Sequence, residues 1–154
     1  MFKVLSAIVL GGIVAGALDI TYACVHWHLA HGVAPTRIFQ SVAAGLIGRE
    51  AAVAGGLPTA MLGLGAHFLL TIIMAAFFVA WTAMVPALNR WPLLSGVTYG
   101  LGLFVVMQLV VLPMSAIGAA GEFPKGQFLF GGLLIHAFGV GLPIALIAKH
   151  FASD

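Results

Sequence analysis

Long runs without a charged residue constrain this chain more than any other feature of its sequence. Residues 4–18, 51–89, 91–121 and 126–148 contain no Asp, Glu, Lys or Arg. A helix needs about 20 predominantly apolar residues to cross the hydrocarbon core of a bilayer. Such runs must form helices or a closed barrel, and barrel strands alternate apolar and polar residues, whereas these runs are apolar throughout. The sequence therefore predicts an all-α, polytopic membrane protein.

The runs predict a single transmembrane domain over residues 1–154, built as a four-helix transmembrane bundle. The spans are expected near 4–26, 57–84, 92–112 and 127–149. Composition supports this class, since 62% of the residues are apolar and only 6% are charged, against about 25% charged in soluble domains. Six Lys and Arg form no basic field, which excludes a nucleic-acid partner. The expected partners are the lipid bilayer and either other membrane subunits or further copies of the chain.

The connection between spans one and two is too long for a simple turn. Pro35 can open a helix there, and Arg37, Gln40 and Ser41 fall mostly on its polar face. The apolar face is expected to carry Ile38, Phe39, Val42, Ala43, Leu46 and Ile47. This spacing predicts an interfacial or re-entrant amphipathic helix near 35–48. It serves either as a linker or as a lid over a cavity.

Orientation follows from the positive charges that flank the spans. One side of the membrane holds both termini with Lys3, Arg90 and Lys149, and the other side holds three cations in turn: Arg37, Arg49 and Lys125. Lys3 lies directly beside span one and Arg90 lies in a very short turn. These two positions favour cytoplasmic termini, in a bacterial inner membrane.

The two halves of the chain share a pattern of small residues and histidines. Span one carries Gly12-x-x-x-Gly16 and span three carries Gly96-x-x-x-Gly100. Spans two and four each carry Gly-x-x-x-His, which ends at His67 and His136. The pattern suggests a parallel internal repeat, and close helix packing explains the glycines in either case.

Three ionisable residues are expected inside the spans, where each costs a few kcal/mol and needs a partner or a wet cavity. Asp19 lies in span one, His67 in span two and His136 in span four. At roughly 1.5 Å per residue, their depths agree within about 5 Å. The sequence therefore predicts a shared polar layer, to which Gln108 of span three could add an amide.

Three interpretations of this layer remain open. It could be a structural cluster that fixes helix register, or a site that passes protons or holds a small polar solute or metal. Alternatively, His67 and His136 could ligate a haem b iron, with Gly63 and Gly132 leaving room for the macrocycle. No catalytic motif such as Gly-x-Ser-x-Gly or His-Glu-x-x-His is present, so a non-enzyme is predicted.

Another histidine cluster lies near the end of span one. His26, His28 and His31 surround Trp27, and imidazoles at such spacing can bind Zn, Cu or Ni. Residues two apart on a helix do not face each other, and Trp27 also fits an interfacial aromatic belt. A belt with solvated histidines is the simpler interpretation.

A family resemblance rests on residues spread over most of the chain. The first half carries Pro35-x-Arg37-x-x-Gln40-Ser41, Gly55-Gly56 and Leu62-Gly63-Leu64-x-x-His67-Phe68, and the second half continues with Tyr99-Gly100, Met107 and Val111-Leu112-Pro113-x-Ser115. With these motifs the chain resembles the small bacterial inner-membrane proteins of the YagU type. The resemblance implies a four-helix inner-membrane protein. We expect an accessory subunit of a membrane complex, or a component that handles protons or a small solute.

Overall fold

Helices account for nearly all of the computed structural model, which describes residues 2–118 and 121–153. In chain order the α-helices α1 to α6 cover Phe2–His31, Pro35–Ile47, Arg49–Ala54, Gly56–Met84, Ala87–Arg90 and Pro92–Val106. A π-helix, Met107–Val111, joins α6 to α7, Leu112–Met114. After α8, Gln127–Leu134, a second π-helix, Ile135–Gly141, leads into α9, Leu142–Ser153.

Four helical stretches are long and apolar enough to cross a membrane: Phe2–His31, Gly56–Met84, Pro92–Met114 and Gln127–Ala152. They correspond to the four predicted spans and are called spans one to four below. The predicted class, an all-α polytopic bundle, is therefore confirmed. The predicted ends were wrong by up to five residues, and spans three and four each contain a π-helical segment that the charge pattern does not reveal.

Span one is longer than predicted because nothing interrupts its helix before Gly32. This glycine has φ +66°, a left-handed conformation that ends helices and that a residue with a Cβ rarely adopts. Its amide donates a hydrogen bond of 2.8 Å to the carbonyl of His28. The three histidines near the end of span one therefore belong to the helix itself.

The described residues group into two compact units. The first contains residues 2–19, 68–104 and 125–153, and the second contains residues 20–67, 105–118 and 121–124. The first unit thus holds the start of span one, most of span two, the start of span three and all of span four. Its most deeply buried large side chains are Phe78, Phe104 and Ile144.

Glycines bring spans one and two into direct contact within the first unit. A Cβ on Gly12 would lie 2.5 Å from Cα of Ile72, and one on Gly16 would lie 2.8 Å from the ring of Phe68. Lipid tails are as apolar as Leu, so helices in a membrane associate through close packing at small residues. The first Gly-x-x-x-Gly motif is therefore the surface on which span two packs.

Spans three and four meet in the same unit through the second motif. A Cβ on Gly96 would lie 2.8 Å from Cα of Leu142. On Gly100 it would overlap the carbonyl oxygen of His136 and lie 2.9 Å from Cα of Ala137. Gly141 of span four has no room for a side chain either, because backbone atoms of span three fill that space. The two backbones are in contact over about one turn of span three.

The two glycine motifs meet similar regions of their partner spans, close to the histidine of each span. The second glycine of each motif lies against the residue that directly follows the span's histidine, which is Phe68 or Ala137. The first glycine lies against Ile72 in span two, and against Leu142, Ala145 and Gly141 in span four. The contacts of the two motifs are therefore similar but not identical, and the parallel repeat stays a prediction.

In the second unit, α2 packs on the start of span two. A Cβ on Gly63 would overlap the carbonyl oxygen of Phe39 and lie 2.8 Å from the amide nitrogen of Ala43. The end of α2 is also held, because the carbonyl of Gly45 accepts a 2.8 Å hydrogen bond from the amide of Ala116. The predicted helix near 35–48 exists, and it ends at Ile47 because Gly48 has φ +82°.

The predicted polar and apolar faces of α2 were partly wrong. Gln40, expected on the polar face, is only 5% exposed, whereas Leu46 and Ile47 are 58% and 41% exposed. The buried residues of α2 are Ile38, Gln40, Ala43 and Ala44. Small residues are needed where two backbones approach closely, and large apolar side chains can instead face lipid. A rule that assigns all large apolar residues to the buried face therefore predicts the buried face of α2 only in part.

Replacing Gly100 with Ala should destabilise the protein, because the added methyl group would overlap a backbone carbonyl that cannot move aside. We expect the free energy of unfolding to fall by about 1–3 kcal/mol, measured by denaturant unfolding in detergent micelles. Gly102→Ala is the matched control, since open space surrounds that position. It should leave stability equal or raise it by up to ~1 kcal/mol. Equal effects of the two substitutions would contradict this packing.

Candidate functional site

Asp19 lies in the first unit, on the face of span one that carries the glycine motif. Gly12 and Gly16 on this face are buried, and Asp19 is partly buried. Ile13, Ala17 and Leu18 are exposed. Near Asp19, the side of span one that carries Gly12 and Gly16 is therefore less accessible than the opposite side. The carboxyl group therefore lies on the packed side of the helix, as the sequence predicts.

His136 lies in the same unit, within the π-helix of span four. Its Nδ1 is 3.0 Å from the carbonyl oxygen of Gly132. Its ring meets that of Phe104 edge to face, with the centroids 5.4 Å apart and the planes at 77°. Two contacts therefore fix the position of this imidazole.

The hydrogen bond to Gly132 identifies the protonated ring nitrogen of His136. A carbonyl oxygen only accepts, so Nδ1 must carry the hydrogen. In the neutral ring the lone pair is then on Nε2, which is the nitrogen that can accept a proton or bind a ligand. A backbone carbonyl on the other nitrogen is the arrangement that usually orients a functional histidine.

His67 and Gln108 lie in the second unit. His67 is only 7% exposed and follows Gly63 by one helical turn on the same face of span two. That face is the one on which α2 packs. Gln108 lies in the π-helix of span three and is partly buried. The structure thus brings Asp19 and His136 into one compact unit and places His67 and Gln108 in the other.

The haem alternative relied on Gly63 and Gly132 to leave space beside the two histidines. Protein fills both spaces. The backbone of α2 occupies the one at Gly63, and a Cβ on Gly132 would lie 2.6 Å from the ring of Phe104. These glycines accommodate a helix and an aromatic side chain rather than a macrocycle, so this support for haem b on His67 and His136 is lost.

The histidines near the end of span one do not converge. His28 and His31 are exposed, and His26 is partly buried. The hydroxyl of Tyr22 lies 3.4 Å from Nδ1 of His26, and the two rings stack with centroids 5.2 Å apart. Among residues 2–118 and 121–153, no three His, Cys, Asp or Glu side chains are grouped so that they could hold a metal ion. Trp27 packs instead against His31, at 5.4 Å between centroids.

Sequence reasoning missed a polar network at the junction of α2, α3 and span two. Nε2 of the buried Gln40 donates a 2.9 Å hydrogen bond to the carbonyl of Gly56, and Arg37 donates to Oε1 of Gln40 at 3.1 Å. The hydroxyl of Thr59 donates to the carbonyl of Ala52 at 2.5 Å. The network satisfies carbonyls where α3 ends and span two begins. The pair Gly55-Gly56 was its only signal in the sequence.

Comparison with known families, curated proteins and solved structures finds no match to this chain. The resemblance to the YagU-type proteins therefore stays a prediction.

The tautomer of His136 can be tested directly. We expect solution or solid-state NMR of the ¹⁵N-labelled protein to show a protonated Nδ1 and an unprotonated Nε2 in the neutral ring. The reason is that Gly132 supplies only an acceptor. His28, which is exposed, is the reference and should show the ordinary mixture of tautomers. A neutral His136 protonated at Nε2 would contradict the hydrogen bond.

Proposed function

We propose that this protein is a small, non-enzymatic membrane component that passes protons or handles a small polar solute through the intramembrane residues Asp19, His67 and His136. The observation that carries the proposal is the hydrogen bond between Nδ1 of His136 and the carbonyl of Gly132. It belongs to a residue inside a span, where an ionisable group is costly and is usually functional.

The bond to Gly132 suits a proton carrier because it persists in both charge states of the ring. The neutral ring donates through Nδ1, and the cationic ring donates through the same atom. Nε2 can therefore gain or lose a proton without a change in ring orientation. Phe104, which contacts the ring edge to face, limits rotation further. A fixed base of this kind needs little reorganisation at each transfer.

The local backbone supports the same proposal. Short π-helical segments are rare and frequently occur at functional sites. Two such segments interrupt the spans, and they contain Gln108 and His136, both of which the sequence placed at the polar layer. Since polar residues and irregular helix coincide twice, a purely structural cluster is a weaker explanation.

His67 and Asp19 complete the set of intramembrane ionisable groups. His67 is nearly inaccessible, and Asp19 lies on the packed face of span one. A buried polar group is retained where it is hydrogen-bonded or functional. We assign these two residues to the same proton or solute pathway, in a bacterial inner membrane with cytoplasmic termini.

Substitution of the three residues tests the proposal in proteoliposomes that contain a pH-sensitive dye. His136→Asn keeps a donor near the Nδ1 position but removes the titratable nitrogen. It should reduce proton flux by on the order of 10²-fold. Asp19→Asn and His67→Asn should also reduce flux, while thermal unfolding confirms that each variant is folded.

His28→Asn is the matched control, because it makes the same chemical change at an exposed residue of span one. Its flux should equal that of the unmodified protein. Unchanged flux in all three test variants would exclude the proton pathway. Native mass spectrometry of gently extracted protein then tests the accessory-subunit prediction, because masses from other chains would identify it as a subunit.

A further inference from the structure

A second feature of the first unit lies at the end of the spans that carries both termini. There, a cavity of about 220 Å³ is lined by Lys3, Thr82, Asn89 and Phe151, together with small apolar residues. It contains none of the residues discussed above as a proton or solute pathway. Its lining combines a cation, two uncharged polar groups and an aromatic ring.

The charges around this cavity favour an anion. Lys3 lines it, and Arg90 directly follows Asn89, which also lines it. Of the described residues that line the cavity, only Lys3 carries a charge.

Asn89 adds a requirement for a hydrogen-bond donor. Its Oδ1 is buried and has no hydrogen-bond partner in the described part of the protein. A buried acceptor without a donor is costly, and such groups call for a specific explanation. Thr82 does not supply the donor, because its hydroxyl donates to the carbonyl of Val79 at 2.7 Å. A ligand that carries hydroxyl groups would meet this need.

An apolar groove adjoins the cavity. The groove, of about 390 Å³, is lined mainly by Leu5, Val9, Leu10 and Ile13 on span one, and it shares Phe151 with the cavity. It follows span one for about two turns from the end at which Lys3 lies. A cavity with a cation and two polar side chains in its lining, continued by an apolar groove along span one, matches the order of headgroup and acyl chain in a phospholipid.

We propose that this cavity binds the headgroup of phosphatidylglycerol and that the groove holds one of its acyl chains. Lys3 contacts the phosphate, and a glycerol hydroxyl donates to Asn89. Leu5, Val9 and Ile13 contact the acyl chain. Basic pockets at the ends of transmembrane helices are known to bind anionic lipid headgroups. This lipid supplies both the negative charge and the hydroxyl donors that the cavity requires.

Native mass spectrometry of the full-length protein in detergent micelles provides the test. Phosphatidylglycerol and phosphatidylcholine with identical acyl chains are titrated separately, and the bound fractions give two dissociation constants. We expect phosphatidylglycerol to bind at least fivefold more tightly, because phosphatidylcholine has neither net charge nor a hydroxyl donor. Equal affinities would overturn the proposal, and so would equal competition by soluble glycerol phosphate, which cannot use the groove.

Substitutions of Lys3 test its proposed contact with the lipid phosphate. Lys3→Gln should weaken phosphatidylglycerol binding roughly fivefold, the effect expected of one basic residue near a lipid phosphate, and Lys3→Arg should restore it. Lys125→Gln removes a cation that does not line the cavity and should have no effect. If Lys3→Gln and Lys125→Gln behave alike, the proposed contact is wrong.

Asn89→Leu separates binding from folding. The substitution removes the buried acceptor, so the lipid-free protein should keep or gain thermal stability, whereas its preference for phosphatidylglycerol over phosphatidylcholine should fall. If Asn89 had only a structural role, the Asn89→Leu protein would instead be less stable and would keep its lipid preference. Because stability and preference are expected to move in different directions, a misfolded variant cannot imitate the predicted outcome.

Discussion

The contact between Gly100 and the backbone of His136 is the interaction on which the rest of the first unit depends. Within a bilayer no hydrophobic force draws helices together, so packing at small residues must do so. Because Gly100 has no side chain, span three reaches the carbonyl of His136 itself. This approach puts Phe104, one turn further along span three, against the imidazole ring. The absence of a side chain at Gly100 therefore allows both the packing of span three on span four and the contact that orients the His136 ring.

The sequence was sufficient for the class of fold but not for its local irregularities. Charge-free runs predicted the four spans because the length of a transmembrane helix is set by the bilayer. The same runs could not reveal the π-helices at Met107–Val111 and Ile135–Gly141, which depend on how neighbouring spans pack. Gln40 was misplaced for a related reason, since its burial follows from the close approach of α2 to Gly63.

The candidate residues were predictable only as single positions. Asp19, His67 and His136 stand out because ionisable side chains are rare in apolar runs. Their roles depend on geometry that spacing does not carry, such as the carbonyl of Gly132 at Nδ1 of His136. For Gly63 and Gly132, the spacing in the sequence led to a wrong expectation. Their positions relative to the histidines suggested space for a cofactor, whereas they accommodate the α2 backbone and the Phe104 ring.

The distribution of side-chain sizes has a consequence for how such a sequence can vary. Among the residues that the structure describes, more than half of the buried apolar ones are alanines, while Phe77, Trp81 and Phe130 are more than half exposed. Exchanging one large outward residue for another leaves the helix contacts intact, whereas a single extra methyl group at Gly63 or Gly100 separates two backbones. Amino-acid substitutions should therefore accumulate quickly at the large exposed residues and slowly at the buried glycines and alanines. In a protein built this way, ancestry would be preserved in its glycines and alanines, and aligning its large hydrophobic residues would obscure it.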